Sequence, residues 1–310
     1  MGSEYKLLDA TGAVFFNREL EHIKAKSFDV LYADLKYREI FPVSTEVNPG
    51  ATQVTYRSYD SAGKAQVISG YAGDLPRADV AGAETSHPVR MIGSSYGYNL
   101  QEIKSSQMTG KGLDARRAMA ARRAVEEQMN LIAFDGNADS NLPGLLSDAN
   151  VPAGNVANGA AGTPAWTTKT PDEILYDLNV CSGLIFSNSK GKERPNTCLL
   201  PIAQWNYLMS TPRSSGSDMS IAGWLVNNSP FLKSLDAFVP LNEMDAAGAG
   251  GGDIFVLYDK NPEKLSLEIP EDVTYHPVQE TGLEFVVPVT AFYSGLHIYY
   301  PLSLYVMEDI

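Results

Sequence analysis

The chain has 310 residues, of which 44% are hydrophobic and 20% charged, enough for one large globular domain or two of ordinary size. Its net charge is -13, and the whole negative excess lies in residues 135–310, which excludes the basic footprint of a protein that reads nucleic-acid sequence. The sequence has no run of 18 apolar residues and no signal-peptide pattern at its start, so we expect no membrane partner and synthesis in the cytoplasm.

The first 45 residues predict an arm. They contain a short helical pattern at Val14–Lys26 and apolar stretches such as Ile40–Val43, with no pattern that closes a core of its own. We expect this segment to lie over another part of the structure.

A hairpin is predicted next. Gln53–Tyr59 and Ala65–Tyr71 alternate apolar and polar residues, and Asp60–Lys64 between them has turn chemistry, which places Lys64 at the tip. A Gly-, Pro- and Asp-rich stretch follows, and then a second β-like run at Val89–Leu100. Since an isolated hairpin of this polarity is marginal in water, we expect another chain to cover its edges.

The longest helical pattern spans Leu113–Asp135. Its apolar stripe recurs at spacings of three and four and consists of Ala118, Ala121, Val125, Met129 and Ile132. Arg122–Glu126 and Arg123–Glu127 lie off the stripe as i,i+4 pairs. The interleaved glutamates favour a solvated or intersubunit ion-pair face over a nucleic-acid contact for these arginines.

The remainder predicts a mixed α/β region. Thr170 and Pro171 form a strong helix start for Glu173–Phe186. The other predicted elements are a loop at 148–168, a helix at Pro201–Ser210, short apolar segments at Ile221–Asn227 and Phe231–Leu235, and strands at Thr197–Pro201, Phe238–Leu241, Ile254–Tyr258, Leu265–Ile269, Phe285–Pro288 and within Gly295–Val306.

Three motifs bear on a catalytic, a calcium or a phosphate site. Gly93–Gly97 matches GxSxG with Ser95 as nucleophile, but Tyr98–Ile103 reads as a continuing strand where a nucleophile elbow needs a helix. Asp135–Asn141 resembles the opening of a calcium loop without its later ligands, which favours a helix-exit turn and leaves a weak structural cation open. Gly248–Gly252 leads into a strand, so it predicts an exposed loop, not a phosphate cradle.

The cysteines and histidines predict no metal site. Cys181 and Cys198 form no CxxC pair, and without a secretory signal we expect two buried thiols. The four histidines have no metal-ligand spacing. We expect no metal, cofactor or catalytic residue.

The order of these elements resembles the major capsid proteins of tailed bacteriophages, which have the Hong Kong 97-like fold. Leu142–Leu146 resembles the turn that often follows the spine helix of that family, and Leu199–Leu208 resembles the strand-then-helix pattern of its axial domain. The resemblance implies an α+β fold with an N-terminal arm, an extended β-hairpin loop, a long spine helix, a peripheral domain and an axial domain.

The implied boundaries follow the elements above. They are the N-terminal arm at 1–45, the extended loop and adjoining β segments at 46–108, the spine helix and peripheral domain at 109–169, the axial domain at 170–284, and closing strands of the peripheral domain at 285–310.

The resemblance further implies a subunit that assembles with copies of itself, through pentamers and hexamers, into an icosahedral shell around double-stranded DNA. The expected partners are a separate scaffolding protein, a portal, decoration proteins and non-specifically contacted DNA. The residues expected at intersubunit contacts are Tyr56, Arg57, Tyr59, Lys64, Arg116, Arg117, Arg123 and Glu127.

Two alternatives stay open at this point. An encapsulin-type compartment would share the fold and enclose enzyme cargo. A serine hydrolase built on Ser95 would need His276 or His297 as its base.

Overall fold

One long helix and four β-sheets, the smallest a two-stranded hairpin, organise the described part of the protein. A computed structural model describes residues 32–65, 77–109 and 115–310, and Leu35–Ile310 form one structural unit. The helices are α1 (Tyr37–Ile40), α2 (Leu100–Thr109), α3 (Arg116–Asp135), α4 (Pro171–Asn188), α5 (Ile202–Ser210) and α6 (Ile221–Asn228). The strands are β1 (Val43–Ser44), β2 (Gln53–Ala62), β3 (Asp79–Pro88), β4 (Arg90–Asn99), β5 (Ala153–Asn155), β6 (Thr197–Pro201), β7 (Phe238–Leu241), β8 (Ile254–Tyr258), β9 (Leu265–Glu268), β10 (Glu271–Tyr275), β11 (Gln279–Thr281), β12 (Glu284–Tyr293), β13 (Gly295–Ile298) and β14 (Leu304–Glu308).

Helix α3 is the predicted spine helix. Its stripe is buried at Ala121, Val125, Met129 and Ile132, as predicted. The helix begins at Arg116, and the predicted first residues, Leu113 and Asp114, lie outside the described residues. At its other end Gly136 adopts a φ of 71° and donates its N–H to the Ile132 carbonyl oxygen, a conformation that suits glycine.

The hairpin is longer than predicted, and its return strand was misplaced. β2 extends through Ala62, and its partner is β3, in the Gly- and Asp-rich stretch that the sequence analysis left without a strand. Gly82 stands opposite Tyr59, where a Cβ would lie only 3.3 Å from the tyrosine ring. Small residues therefore pair well here although they give no alternating pattern. Most of Ala65–Tyr71, the predicted return strand, lies outside the described residues.

A sheet built around β12 holds the second β-like run. β4 pairs with β12 over its whole length, and β10 and β11 pair with β12 on its other side. The expectation that Tyr98–Ile103 continues the strand was wrong, because α2 begins at Leu100. Asn99 and Glu102 explain the change: each side chain accepts a hydrogen bond from the other residue's backbone N–H, as in a capping box.

The five-stranded sheet has the order β5-β14-β8-β6-β7 and separates two hydrophobic cores. Along β8, Val256 faces the core that contains the spine helix, and Phe255 faces the core under α4, α5 and α6. α4 begins as predicted, with a capping box between Thr170 and Glu173. The last strand, β14, pairs with β8 in this sheet.

The segment before the hairpin is part of the core. Tyr37, Ile40 and Phe41 are at most 2% exposed and pack beside the spine helix. β1 pairs in parallel with β9, which also pairs with β13 in a three-stranded sheet. The end of the 1–45 segment therefore lies against the rest of the structure. Val14–Lys26 lies outside the described residues.

Candidate assembly surfaces

The hairpin β2–β3 presents uncovered apolar side chains. Tyr59 is 69% exposed and Val80 61% exposed. Among the described residues, β2 and β3 pair only with each other, so each keeps a free edge. A two-stranded ribbon with free edges and exposed tyrosine and valine side chains is suited to pairing with another chain.

Two predicted contact residues lie on the outer part of this hairpin. Arg57 forms a cross-strand ion pair with Glu84 at 2.7 Å, and both side chains are mostly exposed. Lys64 is exposed beyond the end of β2. Because β2 continues through Ala62 and pairs there with Asp79, Asp60–Lys64 does not form the turn that the sequence predicted.

Tyr56, a third predicted contact residue, faces the body of its own subunit. Its ring meets the Tyr299 ring edge-on, with 4.9 Å between centroids. Burial raises the pKa of Tyr56 above its usual value. The structure therefore places Tyr56 at the attachment of the hairpin, and leaves Tyr59 as the exposed aromatic residue.

The attachment of the hairpin contains two adjacent histidines. The rings of His87, from β3, and His297, from β13, have centroids 4.7 Å apart. Ser294 donates its hydroxyl to the Pro88 carbonyl oxygen at 3.0 Å, which holds the last residue of β3. Beside this attachment lies a groove of about 610 Å³, lined by residues that include Tyr56, His87, Asp148 and Tyr299. The sequence analysis missed this cluster, because no local pattern links histidines 210 positions apart.

The predicted arginines of the spine helix contact their own subunit. Arg117 pairs with Glu102 at 2.8 Å, donates to the Gly97 carbonyl oxygen at 2.7 Å, and lies over the Tyr98 ring. Arg123 pairs with Glu127 at 2.6 Å, as the i,i+4 spacing predicts. Arg116 is exposed. The structure therefore shows ion pairs that stabilise the subunit, and contacts to a second copy would use the exposed remainder of these side chains.

Glu126 is more buried than its position off the stripe predicts. Its side chain is 14% exposed and accepts hydrogen bonds from Tyr37 and from Arg38, which lies 3.2 Å away. Arg38 also pairs with Asp272 at 2.6 Å. Burial, together with the bond to Glu126, raises the pKa of Tyr37. This network joins three distant parts of the chain and gives no local sequence signal.

A second buried pair was also missed. Lys169 Nζ lies 2.6 Å from Asp177 Oδ2, and both side chains are at most 3% exposed. The Trp166 indole N–H donates to the same carboxylate oxygen at 3.1 Å. A signal was present in the sequence, because Asp177 interrupts the apolar face of α4 next to Leu178.

The GxSxG motif has no catalytic geometry. Ser95 lies inside β4 opposite Pro288, so the strand continues past it and forms no nucleophile elbow. His276 lies 2.6 Å from the Thr290 hydroxyl, and His297 is buried beside His87. The hydrolase alternative is therefore not supported.

Metal-binding clusters and membrane-spanning helices are absent from the described residues. Within 32–65, 77–109 and 115–310 there is no group of three or more His, Cys, Asp or Glu that could hold a metal ion. In the same part of the chain, no helix is long and apolar enough to cross a bilayer. Cys181 and Cys198 are buried free thiols, as predicted, and burial raises the pKa of both.

Comparison with known proteins identifies the family. The sequence profile described as "Major capsid protein" matches residues 63–310, most of the chain. The chain belongs to the major capsid protein family. It is a shell-forming structural protein and not an enzyme. A search of curated proteins returns no match.

Solved capsid structures share the fold of this capsid protein. It resembles the capsid of Myoviridae phage XM1 with a TM-score of 0.82 and 18% identity, over 96% of this chain and 100% of that one. The capsid of a native GTA particle matches with a TM-score of 0.64 and 12% identity, over 97% of both chains. A virus-like particle from Pyrococcus furiosus matches with a TM-score of 0.56 and 13% identity, over 89% of this chain and 92% of that one. The expected Hong Kong 97-like capsid fold is thereby confirmed.

Proposed function

We propose that this capsid protein forms pentamers and hexamers that close into an icosahedral shell around double-stranded DNA. The observation that carries the proposal is the free-edged hairpin with exposed Tyr59 and Val80, on a chain whose family forms capsids. A closed shell needs heterologous contacts repeated around five- and six-fold axes. A hairpin that reaches onto the next subunit in each ring supplies such a contact.

The proposal includes a division of labour along the chain. The hairpin acts as the extended loop, α3 as the spine, residues 170–284 as the axial domain, and residues 285–310 as closing strands of the peripheral domain. The acidic residues 135–310 do not attract phosphates, so contact with DNA is weak and independent of its sequence. A separate scaffolding protein, a portal and decoration proteins remain proposed partners, and we propose synthesis in the host cytoplasm before assembly.

Electron microscopy of the purified protein tests the proposal. We expect closed shells with five-fold vertices under assembly conditions. The proposed shell would be refuted if only monomers or dimers formed under every condition of salt, crowding agent and protein concentration. Extraction of the shell contents then separates two cargoes. Co-purified DNA supports the viral shell, whereas a co-purified enzyme supports the alternative of an encapsulin-type compartment.

A shortened hairpin tests the proposed contact. Deleting Tyr59–Ala62 together with Asp79–Gly82 removes four consecutive cross-strand pairs and leaves the register of the remaining pairs intact. We expect a folded subunit whose circular dichroism and melting temperature are near those of the wild type, and whose yield of shells falls at least tenfold. As a control, Thr55→Ala changes the same hairpin near its attachment without shortening it, and we expect normal shells. Normal shells from the shortened chain would show that the outer hairpin is not an assembly contact.

A further inference from the structure

The attachment of the hairpin to the body is made by aromatic rings and histidines. Tyr56 and His87 from the hairpin contact Tyr299 and His297 from the body, and the Ser294–Pro88 hydrogen bond completes the attachment. No strand pairing joins β2 or β3 to another described strand. Apart from the chain itself, which runs from Pro88 through Val89 into β4, these side chains hold the hairpin against the body.

The hairpin covers one side of His297. The His297 side chain is fully buried, and the rings of Tyr56 and His87 lie 6.2 Å and 4.7 Å from its ring. Its Nε2 lies 3.1 Å from the Ser294 hydroxyl, and its Nδ1 has no hydrogen-bond partner among the described atoms. This environment solvates a neutral imidazole adequately and an imidazolium poorly.

We propose that the His87–His297 pair is a proton-sensitive latch that holds the hairpin against the body when both rings are neutral and releases it when they are protonated. Two adjacent imidazolium rings would repel each other across the attachment. Moving the hairpin away separates the two charges and exposes both rings to water.

The other charged groups around the latch do not cancel this effect. Asp148 faces His87 and Tyr56 from the turn beside the groove, and it favours the proton on His87. Glu268, on β9, faces His297 and Tyr299, and its Oε1 already accepts the Ser266 and Tyr299 hydroxyls. Even with these carboxylates, burial keeps the pKa of His87 below its usual value.

The direction of the pH effect follows from linkage. Burial and the neighbouring His87 lower the pKa of His297 to about 4, whereas an exposed histidine titrates near 6.5. A lowered pKa in the attached state means that attachment is strongest above about pH 6.5 and weakens as the pH falls toward 4. For His297 alone, this difference shifts the equilibrium by about 300-fold toward release.

Spin labels can report the position of the hairpin. Cysteines introduced as Asp60→Cys on β2 and Asn150→Cys on the body are both at exposed sites, whereas Cys181 and Cys198 are buried. In the full-length subunit, below its assembly concentration, we expect one interlabel distance at pH 7.5 and an additional longer distance at pH 4.5. Because the subunit is unassembled, the result does not depend on shell formation.

Two variants separate the latch from general acid effects. His87→Gln with His297→Gln removes both titrating rings, and we expect a distance distribution that no longer changes with pH. His276→Gln, at an exposed histidine outside the attachment, should behave as the wild type. The proposal is overturned if the interlabel distances of the wild type do not change with pH. It is also overturned if the distances in the double variant change with pH as they do in the wild type.

A histidine titration covers the case in which the double variant is already detached at pH 7.5. Side-chain nitrogen NMR of the wild type can follow its four histidines separately. We expect the pKa of His297 to lie well below 6.5. In the variant with the shortened hairpin, this pKa should move toward 6.5 only if the shortened hairpin detaches from the body. A wild-type His297 that titrates near 6.5 refutes the latch.

Discussion

The Tyr37 hydroxyl donates a hydrogen bond to the Glu126 carboxylate, which ties the segment before β1 to the middle of the spine helix. Arg38, next in the chain, neutralises the same carboxylate and also reaches Asp272 on β10. Three parts of the chain that are far apart in sequence are therefore joined through Arg38, which contacts both Glu126 and Asp272. This network fixes the helix relative to the sheet that carries β10.

Removing the tyrosine hydroxyl tests the first contact. Tyr37→Phe keeps the ring in the core and removes the hydroxyl donor to Glu126, which keeps only its ion pairs with Arg38 and Arg122. We therefore expect a loss of about 2 kcal/mol in the free energy of unfolding. Urea denaturation followed by circular dichroism measures it. Tyr176→Phe, at a side chain that is 62% exposed, should cost less than about 0.5 kcal/mol. Equal effects of the two changes would contradict the role of the buried hydroxyl.

Acid should weaken the other end of the network. The hydrogen bond from Arg38 holds the pKa of Asp272 below its usual value. A lowered folded-state pKa gives stability that is present above about pH 4 and is lost as the pH falls further. We therefore expect Asp272→Asn to flatten the fall in melting temperature below pH 4. Asp139→Asn, at an exposed carboxylate after the spine helix, should leave the fall in melting temperature unchanged. If both variants flatten it equally, the acid sensitivity does not come from Asp272.

Two glycines give opposite predictions for the same substitution. A Cβ at Gly144 would lie 2.2 Å from the Gly136 backbone nitrogen and 2.6 Å from the Ile132 carbonyl oxygen. Gly144→Ala must therefore displace backbone, and we expect a loss of about 3 kcal/mol or more. At Gly183, inside α4, nothing lies within 4 Å of the added carbon, so Gly183→Ala should raise stability by about 0.5–1 kcal/mol. Thermal denaturation of both variants measures the contrast, and a tolerated alanine at Gly144 would disprove the close approach.

The buried Lys169–Asp177 pair should show strong coupling. Lys169→Met leaves a buried carboxylate without its cation, so we expect a loss of about 3–5 kcal/mol. Adding Asp177→Leu removes that charge and should recover most of the loss. For comparison, Arg123→Met breaks an exposed pair and should cost less than about 1 kcal/mol. Urea denaturation of the wild type, Lys169→Met, Asp177→Leu and the double variant gives the coupling energy. Additive effects at Lys169 and Asp177 would show that the two side chains act independently.

The elements with local signals were predictable. The capping box at Thr170, the stripe of the spine helix and the short apolar strands of the five-stranded sheet all depend on residues near each other in sequence. The return strand of the hairpin was not predictable in this way, since β3 consists of small and polar residues that pair because of what stands opposite them. Its register is a property of two strands and not of one.

The residues of the candidate surfaces were harder to predict from the sequence than the helices and strands. Tyr59 was predicted as a contact residue and is exposed, yet Tyr56, three positions earlier, faces its own subunit. The direction of each side chain follows from the strand alternation, but the body that Tyr56 meets comes from β13 and Tyr299 at the far end of the chain. The His87–His297 and Glu126–Tyr37 contacts have the same character, since the partners come together only after folding.

The five-stranded sheet, whose neighbouring residues Phe255 and Val256 face opposite cores, acts as a shared wall. A one-residue slip of β8 would exchange its side chains between the two cores and disrupt both at once. The two cores should therefore melt in a single transition. In a shell, we expect the two cores of each subunit to move together. A change of shell shape would then come from tilting whole subunits and from moving their hairpins.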